Sequence, residues 1–164
     1  MLVESDLTYD YIWNKIHQRD IFIDVTPLSF HKHPHTDSPC LVHICDLSTS
    51  EKYTFSINHY DSLKSFTLEN IQRKLKTHSS RKWVRNKKTF IHLLKLKNVL
   101  DINFFADLEL DIKQHNSIIN RYYHNFNSVN SAIPVYKHIE SFDDICTQII
   151  SKIETIEEER AESA

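Results

Sequence analysis

Between residues 31 and 45 the chain gathers His31, His33, His35, Cys40, His43 and Cys45. Imidazole and thiolate are the usual zinc ligands, so this stretch is where a metal centre would form. Its spacing follows no zinc-finger pattern, and the Cys-x-x-Cys knuckle is missing. A loop with three histidines beside a strand reads equally well as polar surface. His43 and Cys45 stand two apart, on one face of a strand, where a nucleophile and its base would still need an orienting acid. Cys146 lies among isoleucines and reads as a buried apolar thiol.

The second cluster is one of charge. Residues 70–100 contain neither Asp nor Glu, yet they hold Arg73, Lys74, Lys76, Arg81, Lys82, Arg85, Lys87, Lys88, Lys95 and Lys97. These are ten of the 20 Lys and Arg residues in a chain of net charge −2. Such a local field draws phosphates through counterion release, and Trp83 in its middle is placed to stack on a base. DNA or RNA is one partner this implies, and an acidic protein surface is another. The opposing reading is a solvated face balanced by the acids between Glu140 and Glu162. If nucleic acid binds here, reversing Arg81, Lys82 and Arg85 to Glu is expected to abolish binding with little loss of fold.

Glycine is absent from all 164 residues, where average usage would supply roughly a dozen. Without it there is no phosphate-cradling P-loop, no dinucleotide fingerprint, no Gly-x-Ser-x-Gly elbow and no standard EF-hand loop. Backbone positions with φ > 0 should then fall to Asp or to the eleven asparagines. The wealth of Ile, Lys, Asn, Phe and Tyr is what AT-rich codons encode, which points to a phage or viral genome.

The elements that must position these groups follow from periodicity and caps. Ser5 or Asp6 starts a helix with Leu7, Tyr11, Ile12 and Ile16 as its apolar stripe. Residues 21–25 read as a buried strand, then Pro27, Pro34 and Pro39 mark a long loop. Residues 41–46 and 52–57 form two strands around a polar turn, the second alternating Tyr53, Phe55 and Ile57 with Thr54 and Ser56. Thr67 opens a helix, a short strand lies near Trp83–Val84, and 87–97 is helical. A short strand at 98–100 ends at Asp101, helices follow at 101–112 and 115–126, and a last one spans about 142–158. Residues 159–164 should fray as an acidic tail. The pattern is α/β: one domain over residues 1–158, three layers, with a mixed sheet of about five strands. No apolar run approaches the roughly 20 residues that span a bilayer, and the acidic start is unlike a secretory signal. Three cysteines fit a reducing compartment, so a cytoplasmic location is expected, that of the host if the chain is viral.

The order of helix, three strands, then alternating helix and strand resembles that of ribonuclease H-like domains, over most of residues 20–145. Ile23-Asp24-Val25-Thr26 is similar to the Asp-x-Glu start of the proofreading exonuclease domains of DNA polymerases. Asn86-Lys87-Lys88-Thr89-Phe90 resembles their Asn-x-x-x-Phe-Asp motif. His138 and Asp143 resemble their His-x-x-x-x-Asp ending, with Tyr136 and Glu140 as a rival pairing. In that family the carboxylates hold two metal ions; here no cofactor is expected, the exceptions being a magnesium ion held weakly by Asp24 or zinc in the His/Cys cluster. Thr26 and Ile91 replace two of those acids, leaving Asp24 and Asp143. The resemblance therefore implies a nucleic-acid-associated domain without catalysis; Asp101, Asp107 and Glu109 are the next acids to examine if it does cut DNA. The other two readings are a small phage or viral protein that binds a host or virion protein, and a metal-dependent enzyme using the His/Cys cluster.

Overall fold

The computed structural model describes residues 1–28, 38–85, 87–102 and 133–163. Helix α1 (Asp6–Ile16) begins where the Ser5 hydroxyl accepts the Thr8 amide at 3.1 Å, with Asp6 in its first turn and Lys15 in its last. Its buried stripe is Tyr9, Ile12, Trp13 and Ile16, a set spaced by three and four residues. Leu7 and Tyr11, expected in that stripe, are 83% and 66% exposed. The two aromatic rings Tyr9 and Trp13 bury more area than the pair they displace, so the helix turns that way.

Five strands form one mixed sheet: β1 (Ile21–Pro27), β2 (Pro39–Asp46), β3 (Lys52–Ser56), β4 (Lys82–Val84) and β5 (Leu100–Asp101), in the order β3-β2-β1-β4-β5. Strand β2 is antiparallel to β1 and β3, while β1, β4 and β5 are mutually parallel. Asp101 pairs with Val84 within β5 instead of ending that strand. On the outer side of β3 the Val3 amide donates to the Thr54 carbonyl at 2.9 Å, which blunts the edge.

Alternation divides the strands between two cores. Ile21, Ile23, Val25, Val42, Ile44 and Val84 face α1, α2 (Leu68–Lys76) and α3 (Lys87–Leu94). Phe22, Cys45 and Trp83 face α4 (Val135–Ser163), which contributes Phe142, Ile145, Cys146, Ile149, Ile153 and Ile156. Three layers result, with β2 buried along its whole length. Thr67 caps α2 as expected, accepting the Asn70 amide at 3.2 Å. Helix α4 starts seven residues before the expected 142 and stays helical through Ser163. Its first amide, of Val135, is satisfied by Asp61 Oδ2 at 3.0 Å, a cap from far along the chain. Positive φ falls, among the described residues, to Ser50 (63°) and Lys95 (56°), and not to the expected Asn or Asp. Lys95 takes the left-handed place after α3 where glycine usually stands. The helices expected at 101–112 and 115–126 lie outside the described residues, apart from Asp101 and Ile102.

Candidate functional site

The carboxyl ends of parallel strands are where open α/β sheets usually place their chemistry. Here β1 brings Asp24, midway along it but just past the end of β4, to the α4 side of the sheet, on the same face as Phe22 and directly across from His43 of β2. Arg85 follows β4, and its Nε donates to Asp24 Oδ1 at 3.0 Å. The two side chains are 14% and 23% exposed, so this ion pair is largely withdrawn from water.

His43 is buried beside them. Its Nε2 lies 2.9 Å from the Thr26 hydroxyl and its Nδ1 2.8 Å from that of Thr54. A neutral imidazole satisfies both: one threonine donates to the bare nitrogen and the other accepts from the protonated one. Burial holds the His43 pKa well below the usual histidine value, and nearby His138 and Arg85 push the same way. The Phe142 ring stacks on His43 with centroids 4.9 Å apart. His138 is buried on α4 and meets His59 edge to face at 6.0 Å. His59 in turn donates from Nε2 to the Ile133 carbonyl at 2.8 Å and accepts the Asp61 amide at 3.1 Å. The site thus holds His43 between two threonines, with the Asp24–Arg85 ion pair beside it and a separate His59–His138 contact toward α4.

Of the residues aligned with the exonuclease motifs, only Asp24 sits at this strand end as a carboxylate. Thr26 is committed to His43. Phe90 is buried in the opposite core with α1, and Ile91, beside it on α3, carries no ligand atom. Asp143 lies 3.7 Å from Lys52 on β3, and Glu140 3.6 Å from Lys137. Tyr136 is exposed, with the Lys137 ammonium 5.4 Å from its ring centre. Asp101 Oδ2 accepts the Lys87 amide at 3.1 Å and so caps α3. Asn86, Asp107 and Glu109 lie outside the described residues. Among the described residues no two-ion site is assembled here: Asp24 answers to the Arg85 guanidinium, and Asp101 at the end of β5 accepts the Lys87 amide.

The His/Cys cluster does not converge where it is described. His31, His33 and His35 lie outside the described residues. Cys40 donates to the Asn58 carbonyl at 3.2 Å within a small cluster with Leu41 and Val135. His43 has both nitrogens engaged, and Cys45 faces Cys146 under α4. Among the described residues no three His, Cys, Asp or Glu side chains are grouped to hold a metal ion.

The basic segment separates into two sets. Trp83 is wholly buried beneath α4, so it has no face open to a base, contrary to the expectation from its neighbours. Lys82 is buried too, donating to the Leu75 carbonyl at 3.1 Å at the end of α2. Arg81 grips Asp20 through Nε and Nη2 at 3.0 and 2.7 Å and reaches Glu157 at 2.7 Å. With Arg85 on Asp24, these three cations serve the fold, and reversing Arg81, Lys82 and Arg85 would break it. Lys87 is half-buried at the start of α3, and the side chain of Lys88 lies outside the described part. The second set is Arg73, Lys74 and Lys76 on α2 with Lys95 and Lys97 beyond α3, none of them drawn into an ion pair among the described residues. Gln72 donates to the Leu94 carbonyl at 2.8 Å and brings the two stretches alongside. These five cations belong to the helical layer away from α4, so they do not share a face with Asp24. A cleft of about 350 Å³ reaches two of them, lined by Arg73, Lys74 and Thr77 of the α2 end and by Asp6 and Asp10 of α1.

The buried polar network around His43 escaped sequence reasoning, since its members come from three strands and α4. Their only local signal is threonine at 26 and 54 inside strands otherwise rich in large apolar groups. No helix among the described residues is long and apolar enough to cross a membrane. No protein-family model matches the chain, and none of the curated proteins matches it.

Proposed function

We propose that this chain is a ribonuclease H-like domain whose metal site has given way to an ion pair, and that it binds nucleic acid without cutting it. The observation that carries the reading is Arg85 Nε at 3.0 Å from Asp24 Oδ1. In the exonuclease pattern a second carboxylate and two metal ions would share that strand end, and here a fixed cation neutralises the first carboxylate. The sheet order supports the kinship: a central β1, an antiparallel β2 and then β3 to one side, a parallel β4 and β5 to the other. The α2 cations Arg73, Lys74 and Lys76, with Lys95 and Lys97, supply the phosphate contacts.

The test is a binding assay with single- and double-stranded DNA across a salt series. Binding should weaken steeply with salt, and replacing Arg73, Lys74 and Lys76 by Gln should lower the log–log slope by roughly two to three units. Gln keeps α2 helical, so a loss of binding reports charge. Absence of binding at low salt, or an unchanged slope, rejects the reading. End-labelled DNA with magnesium or manganese should stay intact; digestion that disappears in Asp24→Ala would overturn the non-catalytic half.

A further inference from the structure

Cys45 on β2 and Cys146 on α4 lie in the same core cluster, both free and both buried. Cys45 packs on the α4 side of the sheet with its thiol toward the Asp46 carbonyl at 3.8 Å, and Cys146 packs into the same cluster from α4. Lys52 pairs with Cys45 in the β2–β3 register and so stands on the same face. Its ammonium lies 3.7 Å from Asp143, one turn before Cys146 on α4. That ion pair is partly open to water, with side chains 26% and 49% exposed. Two thiols therefore meet just under a solvent-facing bridge that joins the same two layers.

We propose that Cys45 and Cys146 form a reversible cross-link between β2 and α4 when the protein meets a low-molecular-weight disulfide such as oxidised glutathione. The two thiols are unequal. Contact with Cys146 lowers the Cys45 pKa against the opposing effect of burial, and Lys52 adds to that lowering. Burial above all raises the Cys146 pKa. Cys45, set beside Lys52 in the β2–β3 register, is the attacking sulfur. Its thiolate breaks the S–S bond of the small disulfide, forms a mixed disulfide and releases one thiolate. Cys146 then attacks the Cys45 sulfur, gives up its proton and expels the second thiol, so one disulfide is reduced as one is made. Access comes through opening of α4 at the Lys52–Asp143 bridge, an ion pair of the kind that contributes little in salt. The bond closes a loop of about one hundred residues, a length at which cross-links restrict the unfolded chain strongly. It fixes α4 one turn beyond Phe142, the ring that covers His43.

The experiment treats the folded full-length chain with oxidised glutathione, quenches in acid and reads the intact mass. The expected result is a loss of about 2 Da, with Cys45–Cys146 as the linked peptides. The melting midpoint should rise by roughly 5–10 °C and fall back after reduction. Cys146→Ser should stop at the mixed disulfide on Cys45, and Cys40→Ser should cross-link like the parent. If Cys45→Ser does not fold, Cys146→Ser and Cys40→Ser still decide the matter. An unchanged mass, or a bridge that contains Cys40, overturns the proposal.

Discussion

Replacing Arg85 by Leu removes one half of the strand-end ion pair and leaves Asp24 facing a largely buried apolar group. Two unit charges about 4 Å apart attract by about 4 kcal/mol at an effective dielectric near 20. Some of that is offset because both side chains keep a fringe of solvent, 14% and 23% of their surface. The remaining cost is that of stranding a carboxylate among Phe22, His43 and Phe142, so a loss of about 2–3 kcal/mol is expected, somewhat below that for a fully buried pair. Asp24→Asn keeps the shape without the charge. The double variant should then be less damaged than the sum of its parts, with a coupling energy of about 1.5–2.5 kcal/mol. Urea unfolding of the four proteins at one pH measures it, provided the m-values agree. A coupling below about 0.5 kcal/mol would mean that Asp24 does not depend on Arg85. The proposal that a cation has taken the place of metal at this strand end would then lose its footing.

Two further outcomes follow from the same structure. His43 has a folded-state pKa held well below its unfolded value of about 6.5, so the unfolded chain binds the extra proton and stability is lost as pH falls through that unfolded value. Between pH 7.5 and 5.5 this one group should cost about 1.4 kcal/mol, on top of a contribution of the same sign from His78, also depressed mainly by burial. Urea midpoints of the parent and of His43→Gln at both pH values isolate its share, and an equal acid loss in the two would refute the assignment. Ser50→Gly should stabilise by roughly 0.5–1 kcal/mol, because Ser50 holds φ at 63° in the β2–β3 turn, where a Cβ is strained. A melting point that falls in that variant would show the turn gains more from serine than it loses.

Much of the architecture was legible because it rests on local rules. The strands near residues 21–25, 41–46 and 52–57 follow from β-branched runs and alternation, and Ser5 and Thr67 cap the helices their positions suggested. What failed was long-range. Pro134 reads as an interruption, yet α4 begins immediately after it, since Asp61 supplies the cap that no neighbour provides. On α1, Ile12 and Ile16 are buried as expected, but helical spacing admits either Leu7 and Tyr11 or Tyr9 and Trp13 beside them, and only the shape of the core opposite selects the second pair.

The basic segment shows the same limit in its sharpest form. Counting charges along the chain treats ten cations as one surface, but the acids that divide them lie elsewhere and Lys82 turns inward to the end of α2. Asp20 and Glu157 take Arg81, Asp24 takes Arg85, and the end of α2 takes Lys82. The absence of acids from residues 70–100 is therefore partly a record of acids placed on β1, the turn before it and α4. Subtracting those three cations moves the candidate interface from the strand end to α2 and the turn beyond α3. That shift changes the chemistry that can be asked of it. In the proposed reading the cationic face of α2 takes the phosphate backbone on one side of the sheet, away from the neutralised carboxylate on the other.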